Sequence, residues 1–176
     1  MLRLPGSPAL SAFRLDKLFA AARRSVPALA GIHAQSQHFV DLEQRLNAPQ
    51  QAVLEKILTY GPAVPAAPPQ GQLLLVVPRP GTISPWSTKA TDIARNCGLS
   101  AVHRIERGIA YYIQKTDDSA FTESEANQLA ALIHDRMIEA VLMSFDEADG
   151  LFSHAKPGPL TTVDVLGGRH EALKIL

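Results

Sequence analysis

With a single cysteine, the chain can close no internal disulfide and offers no cysteine pair to zinc. Its basic and acidic residues cancel to a formal net charge of zero. The basic excess that marks a binder of phosphate backbones is therefore missing, and nucleic acid is not an expected partner. No apolar run approaches the roughly 18 residues of a membrane span, and the N-terminus lacks the uninterrupted apolar region and small-residue cleavage site of a secretory signal. No membrane partner is expected, and the expected location is cytoplasmic. The glycines do not follow the spacing of a Walker loop or a dinucleotide fingerprint, and no Ser-His-Asp order or paired carboxylates emerge. The expectation is that no catalytic, cofactor-binding or metal-binding residue lies in these 176 residues.

What is present is an ordinary globular composition, 46% hydrophobic and 19% charged, long enough for one domain or one domain and a piece. Two matched sets of elements follow one another. The first has a strand over residues 1–4, a turn at Pro5-Gly6, and a helix over 11–24 with Leu15, Leu18, Phe19 and Ala22 on one face. A strand over 32–42 and a helix from Asn47, capped with Gln50 and carrying Val53, Leu54, Ile57 and Leu58 along one side, complete the set. Residues 63–70, rich in proline and alanine and without a period, read as a linker.

The second set begins with an apolar strand over 73–77 and a helix over 85–95 with Trp86, Ala90, Ile93 and Cys97 in one stripe. A strand or hairpin over 101–113, bent at Gly108, comes next. Thr122 and Glu125 then open a helix with Ala126, Leu129, Ala130, Ile133 and Met137 inward, and a strand covers 139–145. Pro5-Gly6 aligns with Pro80-Gly81, Phe13 with Trp86, and residues 39–42 with 110–113 at nearly constant offset, which implies an internal duplication. The expected fold is α+β: two tandem ferredoxin-like halves of the split βαβ kind in residues 1–145, sharing one antiparallel sheet with helices on one face. After residue 145 the composition shifts, with Pro157-Gly158-Pro159 and Gly167-Gly168; residues 146–176 are expected to begin a linker domain that ends in mid-pattern, because 171–176 start a helical period without a stop signal.

The segment 78–98 carries most of the chemistry. Two prolines stop the strand, Gly81 permits a sharp turn, and Ser84 can cap a helix with Pro85 at its first position. Ser84, Ser87 and Thr88 could cradle an anion there, with Lys89 either contacting it or pairing with Asp92 on the helix surface, although Pro85 removes a donor and a plain capped turn is the favoured reading. Trp86 is expected as a core anchor. Cys97 falls at the C-terminal end of the helix, where the dipole disfavours a thiolate, so a buried structural thiol is expected. His33 and His38 fall on opposite faces of a strand and cannot share a metal. His134-Asp135 lacks further ligands and reads as a surface pair, while Arg104, Glu106 and Arg107 read as a solvated face or a cross-strand ion pair.

The wording of residues 78–98 and 104–113, together with Leu2-Arg3-Leu4-Pro5-Gly6, residues 11–14, His38-Phe39-Val40-Asp41, Leu58-Thr59-Tyr60-Gly61-Pro62 and His134-Asp135-Arg136-Met137, resembles the N-terminal region of the large, single-chain phosphoribosylformylglycinamidine synthases of purine biosynthesis. The resemblance runs over almost the whole chain and implies an N-terminal portion of a much longer ligase. It implies a fused pair of small ferredoxin-like subunits as the fold, and an enzyme that uses glutamine, ATP and magnesium through segments downstream of these residues. The implied partners are the synthetase and glutaminase domains of the same full-length chain. In that setting Thr82, Ser84, Ser87, Thr88, Lys89, Arg104 and Arg107 form a candidate interdomain interface, with Trp86 and Cys97 structural, and the portion by itself is expected to be inactive. The alternative is a self-contained ferredoxin-like interaction or small-ligand-binding module.

Overall fold

A computed structural model describes residues 1–61, 70–153 and 162. The elements, in chain order, are β1 (Leu2–Pro8), α1 (Ala12–Ser25), β2 (Leu29–Leu42), α2 (Ala48–Leu58), β3 (Gln72–Pro78), α3 (Pro85–Asn96), β4 (Val102–Lys115), α4 (Glu123–Ile133), β5 (Glu139–Leu142) and a 3-10 turn over Asp146–Phe152. Each α-helix starts where a short polar side chain can accept from an otherwise orphaned backbone N–H. Ser11 caps α1 and Ser84 caps α3, while Asn47 with Gln50 and Thr122 with Glu125 form full capping boxes.

The five strands form one antiparallel sheet in the order β1-β2-β4-β3-β5. The repeat is visible in element lengths: β1 and β3 have 7 residues each, β2 and β4 have 14, and α2 and α4 have 11. The two long strands pair along their whole length at the centre, where the equivalent positions Ser36 and Ile109 face each other. A shared sheet is thus present, but each half departs from the split βαβ arrangement. In that arrangement a further strand separates the two strands flanking a helix, whereas here β1 pairs directly and antiparallel with β2, and β3 with β4.

All four α-helices lie on one face, α1 against α4 and α2 against α3. Under α2 and α3, Leu54 and Leu58 pack with Ala90, Ala94, Val40 and Ile105; under α1 and α4, Ala22 and Leu129 pack with Ala34, Leu74, Tyr111 and Ile113. On the other face Phe39, Leu75, Val77 and Ala110 are covered by Ala148 and Leu151 of the 3-10 turn. Asp146–Phe152 therefore packs on the sheet; the rest of the expected linker domain, like residues 63–69 of the expected linker between halves, lies outside the described residues apart from Ser153 and Thr162. Because both faces are covered, residues 34–40 of β2 are all buried, including Gln35, Ser36, Gln37 and His38. This explains why the strand shows no clean apolar alternation.

Three local expectations are corrected. Residues 102–115 form one continuous strand, and Gly108 does not bend it: a Cβ there would stand 2.7 Å from the Val76 carbonyl oxygen and 2.9 Å from Val77 Cγ1, so the glycine serves close strand approach. Pro5-Gly6 sits inside β1 at a register irregularity instead of ending it. Met137 lies beyond the end of α4 and is 79% exposed, because His134 caps the helix three residues earlier.

Candidate functional site

The chain leaves β3 at Pro78 and turns toward α3. Gly81 adopts φ +82°, in the left-handed region, and both the backbone N–H and the hydroxyl of Thr82 donate to the Arg79 carbonyl, at 3.0 and 2.6 Å. Ser84 then caps α3, its Oγ accepting from Ser87 N–H at 3.1 Å. The same hydroxyl donates to Glu106 Oε2 at 2.8 Å, and Ser84 N–H donates to Glu106 Oε1 at 3.2 Å. Glu106 is wholly buried and is held from the other side by Arg104, whose Nη2 donates to Oε1 at 2.7 Å. Arg104 also donates to the Thr82 carbonyl. The positive end of the α3 dipole is therefore occupied by an internal carboxylate with its own counter-ion. A nucleotide phosphate at Ser84 would meet the Glu106 carboxylate, so these residues do not fit a phosphate cradle, and Arg104 and Glu106 are an internal pair and not a solvated face.

The next turn of α3 completes the edge of β4 that β3 leaves unpaired beyond Val76. Thr91 Oγ1 accepts from Ile105 N–H at 3.0 Å, and Arg95 Nη2 donates to the His103 carbonyl at 2.9 Å. Covering that edge turns α3 from its expected orientation. Ser87, Ala90, Thr91 and Ala94 face inward, while Ile93 is 49% exposed and Cys97 is an exposed free thiol. The expected buried thiol is thus overturned: the helix uses Thr91 and Arg95 to satisfy a strand edge, which carries Ile93 and Cys97 outward.

On the helix side of the sheet, Trp86 is half-buried and stacks on His38 with ring centroids 5.6 Å apart, and the Arg107 guanidinium lies 4.9 Å above the indole. His38 Nε2 hydrogen-bonds the Tyr60 hydroxyl at 2.7 Å, and its Nδ1 has no partner among the described residues. Burial, with Arg107 adding to it, lowers the His38 pKa to about 4, although the nearby Leu4 backbone acts the other way without reaching hydrogen-bond geometry. His38 is neutral at pH 7. His33 lies on the opposite face, as the strand period requires.

Beside Trp86 a groove of about 460 Å³ opens between the 82–86 turn and the segment after α4. Val76, Arg107 and Ile109 line its floor, and Ile83, Met137 and Ile138 rise from its walls, 59%, 79% and 63% exposed. A smaller pocket of about 260 Å³ on the far side of α3 is lined by Ser87, Thr88, Arg104, Asp92 and Phe152. Of the seven candidate interface residues, Thr82, Ser84 and Arg107 line the groove, and Ser87, Thr88 and Arg104 line the pocket. Lys89 is exposed and lines neither. Ser87 and Arg104 are buried and so present little surface. Met137 and Ile138 escaped the sequence reading because a helical period runs through Met137; the signal against it is His134-Asp135, where Asp135 Oδ1 accepts from Met137 N–H at 2.8 Å and starts a turn. That pair shapes the groove wall.

Residues 35–152 match the family model described as formylglycinamide ribonucleotide amidotransferase N-terminal. The match runs from the middle of β2 to the last residue of the 3-10 turn and includes both walls of the groove.

Proposed function

The chain belongs to the formylglycinamide ribonucleotide amidotransferase N-terminal family, and we propose that it serves that enzyme as a non-catalytic scaffold, docking on the synthetase and glutaminase domains of the same long chain. The assembled ligase converts formylglycinamide ribonucleotide to its amidine in de novo purine biosynthesis, with ammonia from glutamine and energy from ATP and magnesium. The family match over three full strands, three helices and both groove walls is the observation that carries this reading. Two features of the site support a scaffold. The helix terminus best placed to hold a phosphate is closed by Glu106, and Cys97 sits at the C-cap of α3, where no positive dipole favours a thiolate nucleophile. ATP, magnesium and glutamine are handled by other segments, and the protein works in the cytoplasm. Residues 1–145, with 146–152 packed on their sheet, act as the scaffold, and the rest of 146–176 leads into the next domain.

Two measurements test the proposal. The purified chain should release no glutamate from glutamine, and Cys97→Ala should change nothing. Removing residues 1–152 from the full-length enzyme should abolish glutamine-dependent amidine formation. Glutamate release that Cys97→Ala abolishes, or full activity in the truncated enzyme, would overturn the reading.

A further inference from the structure

Apolar side chains as exposed as Ile83, Met137 and Ile138 are unremarkable singly, but here they converge on one groove. They are not the fringe of a core. Met137 and Ile138 stand on a turn pinned from beneath, by Arg79 N–H to the Ile138 carbonyl at 3.0 Å and by Asp135 N–H to Glu139 Oε2 at 2.8 Å. Ile83 is held on the opposite wall by the capped turn bound to Glu106. The walls are therefore fixed in advance, which lowers the ordering cost of filling the groove.

Charge selects the occupant. Arg107 is exposed at the groove floor and has no carboxylate partner among the described residues; its neighbours are the Trp86 ring and the Tyr60 hydroxyl. Arg79, also exposed, reaches toward the Met137 carbonyl on the other wall. Glu139 lines the groove too, but its carboxylate is engaged by the Asp135 N–H. The open positions thus combine an apolar cleft with one cation, Arg107, that has no carboxylate partner among the described residues.

Resting on the scaffold reading above, we propose that this groove receives a segment of the amidotransferase's own downstream chain, with one or two large aliphatic or aromatic side chains seated between Ile83 and Met137–Ile138 and an Asp or Glu carboxylate on Arg107. Arg107 then acts as a selector: held over Trp86, it favours a carboxylate-bearing segment and rejects an equally apolar one that brings a cation.

The test uses the full-length enzyme and the 176-residue chain side by side. Backbone amides of residues 83–87 and 137–139 should exchange with deuterium at least tenfold more slowly in the full-length enzyme; equal exchange in the two overturns the proposal. A photo-crosslinker attached at Ile138→Cys in a Cys97→Ala background should join the groove to a downstream segment holding an Asp or Glu beside apolar residues. Arg107→Glu should then lower glutamine-dependent amidine formation at least tenfold, with recovery when that downstream carboxylate is changed to Lys. Failure of the charge swap to recover activity, or crosslinking to a basic segment, overturns the assignment of the occupant. If the isolated chain sediments as a dimer that Met137→Glu dissolves, the groove belongs to a second copy and the proposal is wrong. Loss of activity on removing residues 1–152 with no effect of the groove variants would refute the groove and leave the scaffold reading standing. Met137 and Ile138 are mostly exposed, so their variants should keep the wild-type melting temperature.

Discussion

At the scale of single residues, His38 is the most consequential side chain of β2, since it fills the seam between the helices and the sheet as a neutral ring stacked on Trp86. Its pKa is lowered to about 4, against 6.5 for the free side chain, so the unfolded chain binds a proton more readily than the folded one. The stability this ring supports is complete above pH 6.5 and is lost as the pH falls toward 4, by about 3 kcal/mol over that window. Urea titrations between pH 7 and pH 4 should show the loss. In His38→Phe, which keeps a ring on Trp86 and cannot titrate, that part of the slope should vanish; an identical slope in the variant would assign the acid sensitivity elsewhere. The sequence placed His38 on the correct strand face relative to His33. It gave no sign of the burial, because that depends on Trp86 arriving from a helix nearly fifty residues later, an encounter no local pattern encodes.

Among the elements, α3 shows most clearly what sequence patterns convey and where they stop. Its start was legible down to the capping residue, since Ser84 followed by Pro85 is a local signal that needs no partner. Its buried face was legible only in part, at Ala90 and the half-buried Trp86. Apolar periodicity chose Ile93 and Cys97, whereas the sheet needed Thr91 at the edge of β4. A hydrogen-bond demand from a distant strand outweighed a weak apolar stripe, in keeping with the cost of leaving a buried N–H without a partner. The sequence leaves Glu106 open between a solvated face and a cross-strand ion pair for the same reason: its partner Ser84 reaches it only through the turn, and its ion pair is with Arg104 of its own strand. Glu106→Gln should therefore destabilise the fold by about 3 kcal/mol, by leaving Arg104 buried without its counter-charge and weakening the bond to the Ser84 cap. Chemical denaturation followed at Trp86 measures this directly. A cost within about 0.5 kcal/mol, the range of ordinary surface substitutions, would show that the pair is solvated after all.

For the whole molecule, the duplication legible in the sequence is real as an order of elements, yet neither repeat has a core of its own. The first-half helix α1 packs with the second-half α4, and α2 with α3, over a sheet whose centre is the β2–β4 ladder between the halves. Leu54 of α2 is fully buried in a cluster that joins Val40, Leu46 and Leu58 of its own repeat to Ala90 and Ala94 of α3 and Val102 and Ile105 of β4 from the other. Strand pairing within each half is antiparallel and direct, which is why the ferredoxin-like expectation missed the topology: periodicity and caps define elements, while adjacency is set by which apolar faces find each other. A molecule built this way should unfold as one unit. Leu54→Ala removes a fully buried side chain and should cost about 2–5 kcal/mol. Although the substitution lies in the first repeat, it should shift the denaturation midpoint read from Trp86 fluorescence in the second repeat by the same amount as the midpoint read from amide exchange of β1 and α1. Two separated transitions, with Trp86 reporting no change, would mean that the repeats fold independently and that the shared core does not bind them together.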